Sequence, residues 1–110
     1  MDEDCIFCKI LNGSIPSKKI YEDEDAIAFF DIKPMARVHF LIVPKLHVAS
    51  LKDCDSSHQA LLGKMVLLAP KLADAQGLIG FKTLINTGRE GGQEVFHLHM
   101  HVFGGGPAGN

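Results

Sequence analysis

His97-Leu98-His99-Met100-His101 places three imidazoles at every second position, with an apolar residue between each pair. Two is the period of a β-strand. Alternate side chains of a strand face the same way, so His97, His99 and His101 line one surface while Leu98, Met100 and Val102 bury the other. A helix would scatter the three rings. Gly91 and Gly92 precede the run and Gly104, Gly105, Gly106 and Pro107 follow it, the punctuation of a short strand between turns. The pattern predicts a strand from Val95 to Phe103.

One metal ion cannot hold all three rings. With a rise of about 3.3 Å per residue, His97 and His101 lie roughly 13 Å apart along a strand, whereas zinc–imidazole bonds are only about 2.0 to 2.1 Å long. A metal takes at most two neighbours, so the three histidines divide the work. The middle ring, His99, is the best placed to act on a bound substrate. Three imidazoles titrating near neutrality on one short surface are hard to explain as packing.

Outward from this strand, the composition sets bounds. A chain of 110 residues, 46% hydrophobic and 22% charged, fits one domain over residues 1–110 with a modest core. A formal charge of -2 and the absence of a Lys/Arg cluster argue against long nucleic acid as a partner, and leave room for a small anionic ligand. No apolar run approaches the roughly 20 residues of a membrane helix. The start Met1-Asp2-Glu3-Asp4 is acidic where a secretory signal is basic, and three cysteines, an odd number, suit a reducing compartment. The expected location is cytoplasmic.

Upstream, Ile6, Phe7, Ile10 and Leu11 have helical spacing that stops at Asn12-Gly13, predicting a short helix from Cys5 to Leu11. Lys19 to Glu22 and Ala26 to Phe30 read as strands joined by the turn Asp23-Glu24-Asp25, and Val38 to Val43 as a third strand ending at Pro44, together a β-meander. Ser56 and Gln59 form a capping-box pair that opens a long helix, with Leu61, Met65, Leu68, Leu72 and Ala75 on its apolar face and Gly77 as its stop. Leu62, Val66 and Leu67 widen that face enough to meet a second subunit, and Pro70 predicts a bend near Ala69. Phe81 to Asn86 supplies another strand, and the histidine strand closes the sheet.

His97-Leu98-His99-Met100-His101-Val102-Phe103 resembles the His-x-His-x-His-x-x signature of the histidine triad superfamily, and the chain looks nearest to its Hint branch of nucleotide-binding proteins. The resemblance runs from Cys5 to Gly105. It takes in Ile15-Pro16, Phe30-Asp31-Ile32-Lys33-Pro34, His39-Phe40-Leu41-Ile42-Val43-Pro44, His47, and Asn86 through Gly91-Gly92-Gln93. It implies an α+β fold, an antiparallel sheet with one long helix and a short N-terminal helix, assembled as a homodimer. It also implies hydrolysis of purine nucleoside phosphoramidates or aminoacyl-adenylates, chemistry that needs no cofactor.

By this resemblance His97, His99 and His101 form the catalytic set. His99 attacks the α-phosphorus through Nε2 and forms a covalent nucleotidyl-histidine that water cleaves. His101 donates to phosphate oxygens and assists proton movement. Asp31 resembles the carboxylate that binds the ribose hydroxyls, with Ile32 beside it, although an Asp at this turn also serves as a turn former. Phe7, Ile10, Ile27 and Phe29 resemble an apolar base pocket, and are equally what a core contains. Asn86, Gly92, Gln93 and the backbone N–H of Glu94 converge on the AMP-like phosphate as fixed donors. Glu94 departs from the Ser of animal members, so only its backbone role carries over.

Cys5-Ile6-Phe7-Cys8 has the spacing with which two thiolates grip one zinc ion. Some triad proteins complete such a site with the histidine of a Pro-x-x-His segment and the first triad histidine, here His47 and His97. A structural zinc on Cys5, Cys8, His47 and His97 would lock the N-terminus to the histidine strand and leave His99 available. The alternatives are two buried thiols beside a hydrogen-bonded His47–His97 pair, or a redox pair. Cys54 has no assigned role, and His39 and His58 read as surface or packing residues. Two other functions compete: a nucleotide-binding regulatory module with little turnover, and a different triad-type or metal-dependent hydrolase.

Overall fold

The computed structural model describes residues 5–106. The acidic start Met1-Asp2-Glu3-Asp4 and Pro107 lie outside the described residues. Helix α1 (Ile6–Leu11) begins where the Cys5 sulfur accepts from the Cys8 N–H, and its end closes with the Asn12 N–H on the Cys8 carbonyl and the Gly13 N–H on the Ile10 carbonyl. Strands β1 (Lys19–Glu22), β2 (Ala26–Phe30) and β3 (Val38–Pro44) form the expected antiparallel meander. Asp23 tightens its first turn by accepting from the N–H groups of Asp25 and Ala26.

The long helix α2 (Gln59–Ala75) starts from a capping box one residue earlier than Ser56/Gln59. Asp55 accepts from the Ser57 N–H, and the Asp55 N–H donates to His58 Nδ1, so a single 3₁₀ turn precedes the α-helix. Asp55 and His58 have the same three-residue separation as the expected pair, and the carboxylate is the stronger acceptor. The buried face is Met65, Leu68, Ala69, Leu72 and Ala73, whereas Ala75 is exposed. Helix α2 continues as one element through Pro70, which lies on its exposed side. Lys64 pins the helix to the β1–β2 turn, its Nζ 2.8 Å from Asp23 and 2.7 Å from Asp25.

The last two strands are shorter than their sequence suggests. Strand β4 covers Lys82–Leu84 and β5 covers Met100–Gly104, and the sheet order is β1-β2-β3-β5-β4. The histidine strand thus inserts between β3 and β4 and does not close the sheet. Its residues are buried or half-buried, which calls for a partner on each side, while all three residues of β4 are exposed, as an edge tolerates. A close approach seals the pair: a Cβ on Gly104 would stand 2.8 Å from the Gly80 carbonyl oxygen.

Proline stops β5 from extending back to Val95. Ile42 pairs with Met100, so continuing the register would set Pro44 opposite Leu98. Pro44 has no N–H to donate. The Leu98 N–H instead bonds to the Val48 carbonyl at 2.8 Å, and Val95 to His99 run as irregular backbone beside Pro44–Val48.

The alternation of side chains survives this break. Ala26, Ala28, Phe40, Ile42, Leu98, Met100 and Val102 pack under α2 in the main core. Ile27, Phe29, Leu41 and Val43 point to the opposite face and bury against Cys5, Phe7 and Cys8 of the N-terminal segment. That second face carries the histidines. Among the described residues, no helix is long and apolar enough to cross a membrane.

Candidate active site

His99 is buried, 7% exposed, at the edge of the second core. Its Nδ1 lies 2.7 Å from the His97 carbonyl oxygen. A carbonyl only accepts, so Nδ1 carries the proton and the lone pair of the neutral ring sits on Nε2. Burial holds the His99 pKa below its ordinary value, which keeps the ring neutral near pH 7. The Phe7 ring meets it edge-on with centroids 4.9 Å apart and fixes the plane of the imidazole. Neutral, oriented and single in tautomer, this ring is equipped to act as a nucleophile.

His101 follows two residues on, half-buried, its ring 5.1 Å from that of His99. Burial and the neighbouring His99 and His39 push its pKa down to about 4, against an opposing pull from Asp31. Its Nδ1 is 2.9 Å from Nε2 of His39, which is 3% exposed. One Asp31 carboxylate oxygen lies 3.5 Å from His39 Nε2 and 3.8 Å from His101 Nδ1, while the other accepts from the Lys33 N–H. Asp31, His39 and His101 thus form one polar cluster.

A second cluster joins α1 to the irregular histidine segment. Sγ of Cys5, Sγ of Cys8, Nδ1 of His47 and Nδ1 of His97 lie within 4.8 Å of one another. The individual separations are 3.3 Å for Cys5–His97, 3.4 Å for Cys8–His47, 3.6 Å for Cys8–His97 and 3.1 Å for His47–His97. His97 Nε2 donates to the Pro44 carbonyl at 2.8 Å, which leaves its lone pair on Nδ1, facing the other three atoms. Bonds of about 2.3 Å to sulfur and 2.0 to 2.1 Å to nitrogen give tetrahedral edges of roughly 3.3 to 3.8 Å. The four donors fit a zinc ion.

Residues 4–107 match the family described as "Scavenger mRNA decapping enzyme C-term binding". The chain is 54% identical over 103 residues to "Protein HitA" of Neisseria gonorrhoeae, covering 93% of this chain and 96% of that one. It is 42% identical over 111 residues to the "Purine nucleoside phosphoramidase" of Escherichia coli K12, covering 99% and 93%. A histidine triad protein from Clostridium difficile superposes with a TM-score of 0.92 at 43% identity, covering 100% and 97% of the two chains. A HIT family hydrolase from Legionella pneumophila superposes with a TM-score of 0.90 at 43% identity, covering 93% of each.

The chain belongs to the histidine triad family.

Around the triad, the other residues singled out from sequence take distinct places. Phe7, Ile27 and Phe29 are almost fully buried in the second core, Phe7 and Phe29 edge to face at 5.7 Å, with half-buried Ile10 at its border. Ile32, next to Asp31, is 91% exposed and stands apart from them. Asn86 is half-buried against Gly92, whose φ of +87° is glycine's province. Gln93 is buried, and both of its amide protons are committed, to the carbonyls of Ala49 and Val95, while its Oε1 accepts from the Gly88 N–H. Its side chain therefore braces the glycine loop. Glu94 is exposed.

Sequence reasoning missed His39, which is neither a surface residue nor simple filler. A signal for it existed in strand parity. Phe40 and Ile42 belong to the helix face, so His39 must share the opposite face with Leu41 and Val43. His58 is the partner in the Asp55 capping box.

Proposed function

We propose that this protein is a Hint-type hydrolase of purine nucleoside phosphoramidates, working through a nucleotide covalently held on His99. One observation carries the reading: the 2.7 Å bond from His99 Nδ1 to the His97 carbonyl, which presents the Nε2 lone pair of a neutral ring. The near full-length similarity to the Escherichia coli phosphoramidase supports it. Nε2 attacks the α-phosphorus, the P–N bond breaks, and the amine leaves carrying a proton taken from solvent, which the water of the second step returns. Water then displaces His99 from phosphorus, releasing the nucleoside monophosphate. Covalent catalysis divides one hard displacement into two easier ones.

The neighbours complete the site in this reading. Asp31 takes the ribose hydroxyls with Ile32 alongside, and Phe7, Ile10, Ile27 and Phe29 back the base. Asn86, the glycine-shaped backbone at Gly92 and the Glu94 N–H meet phosphate oxygens together with His101. This chemistry needs no cofactor. Cys5, Cys8, His47 and His97 would hold a structural zinc, which supplies a rigid tie between α1 and the nucleophile's segment when bound; thiolate ligands suit the cytoplasm. Two copies would pair through the exposed Val66 and Leu67 of α2 and the outer edge of β4, because apolar side chains and an open strand edge favour burial.

The test is hydrolysis of adenosine 5'-phosphoramidate. The wild-type protein releases AMP, and His99→Ala loses at least about 10³-fold in kcat, the range expected when a nucleophile is removed, while retaining AMP binding by calorimetry. Near-normal turnover by His99→Ala overturns the mechanism. Intact substrate with the wild type favours the regulatory-module reading.

A further inference from the structure

Protons on imidazoles can be assigned along the Met35–His39–His101 chain one hydrogen bond at a time. The Met35 backbone N–H donates to His39 Nδ1 at 3.0 Å. An amide N–H cannot accept, so Nδ1 of His39 holds a lone pair. His39 lies under the Phe103 ring at 5.3 Å and is buried, and burial favours its neutral form, whose single proton is then on Nε2. That proton points at His101 Nδ1, 2.9 Å away; the Asp31 oxygen at 3.5 Å is beyond a good bond. His101 Nδ1 must accept. The opposite tautomer would set two N–H groups against each other at 2.9 Å.

We propose that His39 is a positioning residue of the triad: by donating to His101 Nδ1 it forces the His101 proton onto Nε2, on the far edge of the ring, making His101 a hydrogen-bond donor to the substrate and denying it the role of base at that atom. This deepens the phosphoramidase reading and rests on it for its catalytic consequence. The tautomer itself does not depend on that reading. The same parity that hides His39 makes the arrangement possible. His39 pairs with Phe103 and Leu41 with His101 across β3 and β5, so the two histidines are diagonal neighbours on one face.

Nitrogen-15 spectra of histidine-labelled protein at pH 7 read the tautomer directly. The expected pattern for His101 is a protonated Nε2 and an unprotonated Nδ1. A protonated Nδ1 on His101 in the wild type overturns the proposal, with no variant needed. His39→Phe puts a ring in the same place and removes both nitrogens; it should give mixed His101 tautomers and a kcat lower by about tenfold or more, with KM within about threefold, because misplacing a donor costs less than the roughly 10²- to 10⁴-fold of losing it outright. His39→Gln, whose amide can still reach Nδ1 as a donor, should restore the Nε2–H pattern and most of kcat. A His39→Phe protein with an unchanged tautomer and unchanged kcat also overturns it. If instead His99→Ala stays active, the phosphoramidase reading fails while the spectra still decide the tautomer.

Discussion

Mild acid should loosen this fold through its buried imidazoles, with His101 carrying a share that can be isolated. Its pKa falls from an ordinary 6.5 to about 4, chiefly by burial, and its side chain is 13% exposed. The unfolded chain therefore takes up a proton near pH 6.5 that the folded chain refuses until about pH 4. Between those values the unfolded state binds more protons, so stability is lost as pH falls. At 1.36 kcal/mol per unit the penalty from this group grows to about 2 kcal/mol at pH 5 and about 3 kcal/mol near pH 4. Small domains hold only about 5 to 15 kcal/mol in total. Burial lowers His39, His97 and His99 in the same direction and steepens the slope further. The carboxylates act elsewhere on the scale. Hydrogen bonds from Lys19 and Lys45 hold Glu22 down at about 2, so its contribution is lost only as pH falls below the ordinary carboxylate range. Urea unfolding of metal-free protein in chelator, at constant ionic strength and pH 7.5, 6 and 5, gives the profile. Wild type should lose about 2 kcal/mol more than His101→Gln between pH 7.5 and 5, the integral of the His101 shift over that interval. Parallel profiles for the two proteins would refute the argument.

Phe40 is fully buried at the centre of the main core, and Phe40→Ala should cost about 3 to 5 kcal/mol in urea unfolding, transfer and cavity terms together; a loss below about 1 kcal/mol would contradict the packing described. Protein loaded with zinc and desalted should retain about one equivalent per chain on its two thiolates and two imidazoles. The Cys5→Ser/Cys8→Ser double variant should retain none by elemental analysis, and equal metal content in the two proteins would remove the site.

Much of the fold was legible because its cues are local. β1 and β2 stop on either side of the acidic turn Asp23-Glu24-Asp25, and α1 stops at Asn12. The misses share a different cause, dependence on a partner strand. Nothing between Val95 and His99 says that pairing stops there. The reason lies at Pro44, more than fifty positions away, and becomes visible only when Ile42 is set against Met100. Likewise the place of β5 between β3 and β4 follows from burial on both sides, which an isolated strand pattern leaves unspecified. The shift of the capping box from Ser56 to Asp55 is smaller, a choice between two acceptors in overlapping triplets.

The site divides along the same line. Period two correctly puts His97, His99 and His101 opposite Leu98, Met100 and Val102, and the spacing argument against one shared metal agrees with three different environments. His97 turns toward sulfur, His99 is held by the His97 carbonyl, and His101 meets His39. What the triplet lacks is its second row. His39 comes from β3, His47 from the turn after it, and Cys5 and Cys8 from α1, so each histidine acquires its character from a residue that only tertiary structure delivers. His39 also shows why residue type misleads without parity. A lone histidine among Val38, Phe40, Leu41 and Ile42 resembles filler, yet one pleat decides whether it packs under α2 or lies on the triad's face. A shift of one residue in the β3–β5 register would carry His39 away from His101 and set it under the helix, where its two nitrogens would have no partners. The cost of burying them unsatisfied, about 1 to 3 kcal/mol for each group, makes the polar cluster itself a device that selects the register.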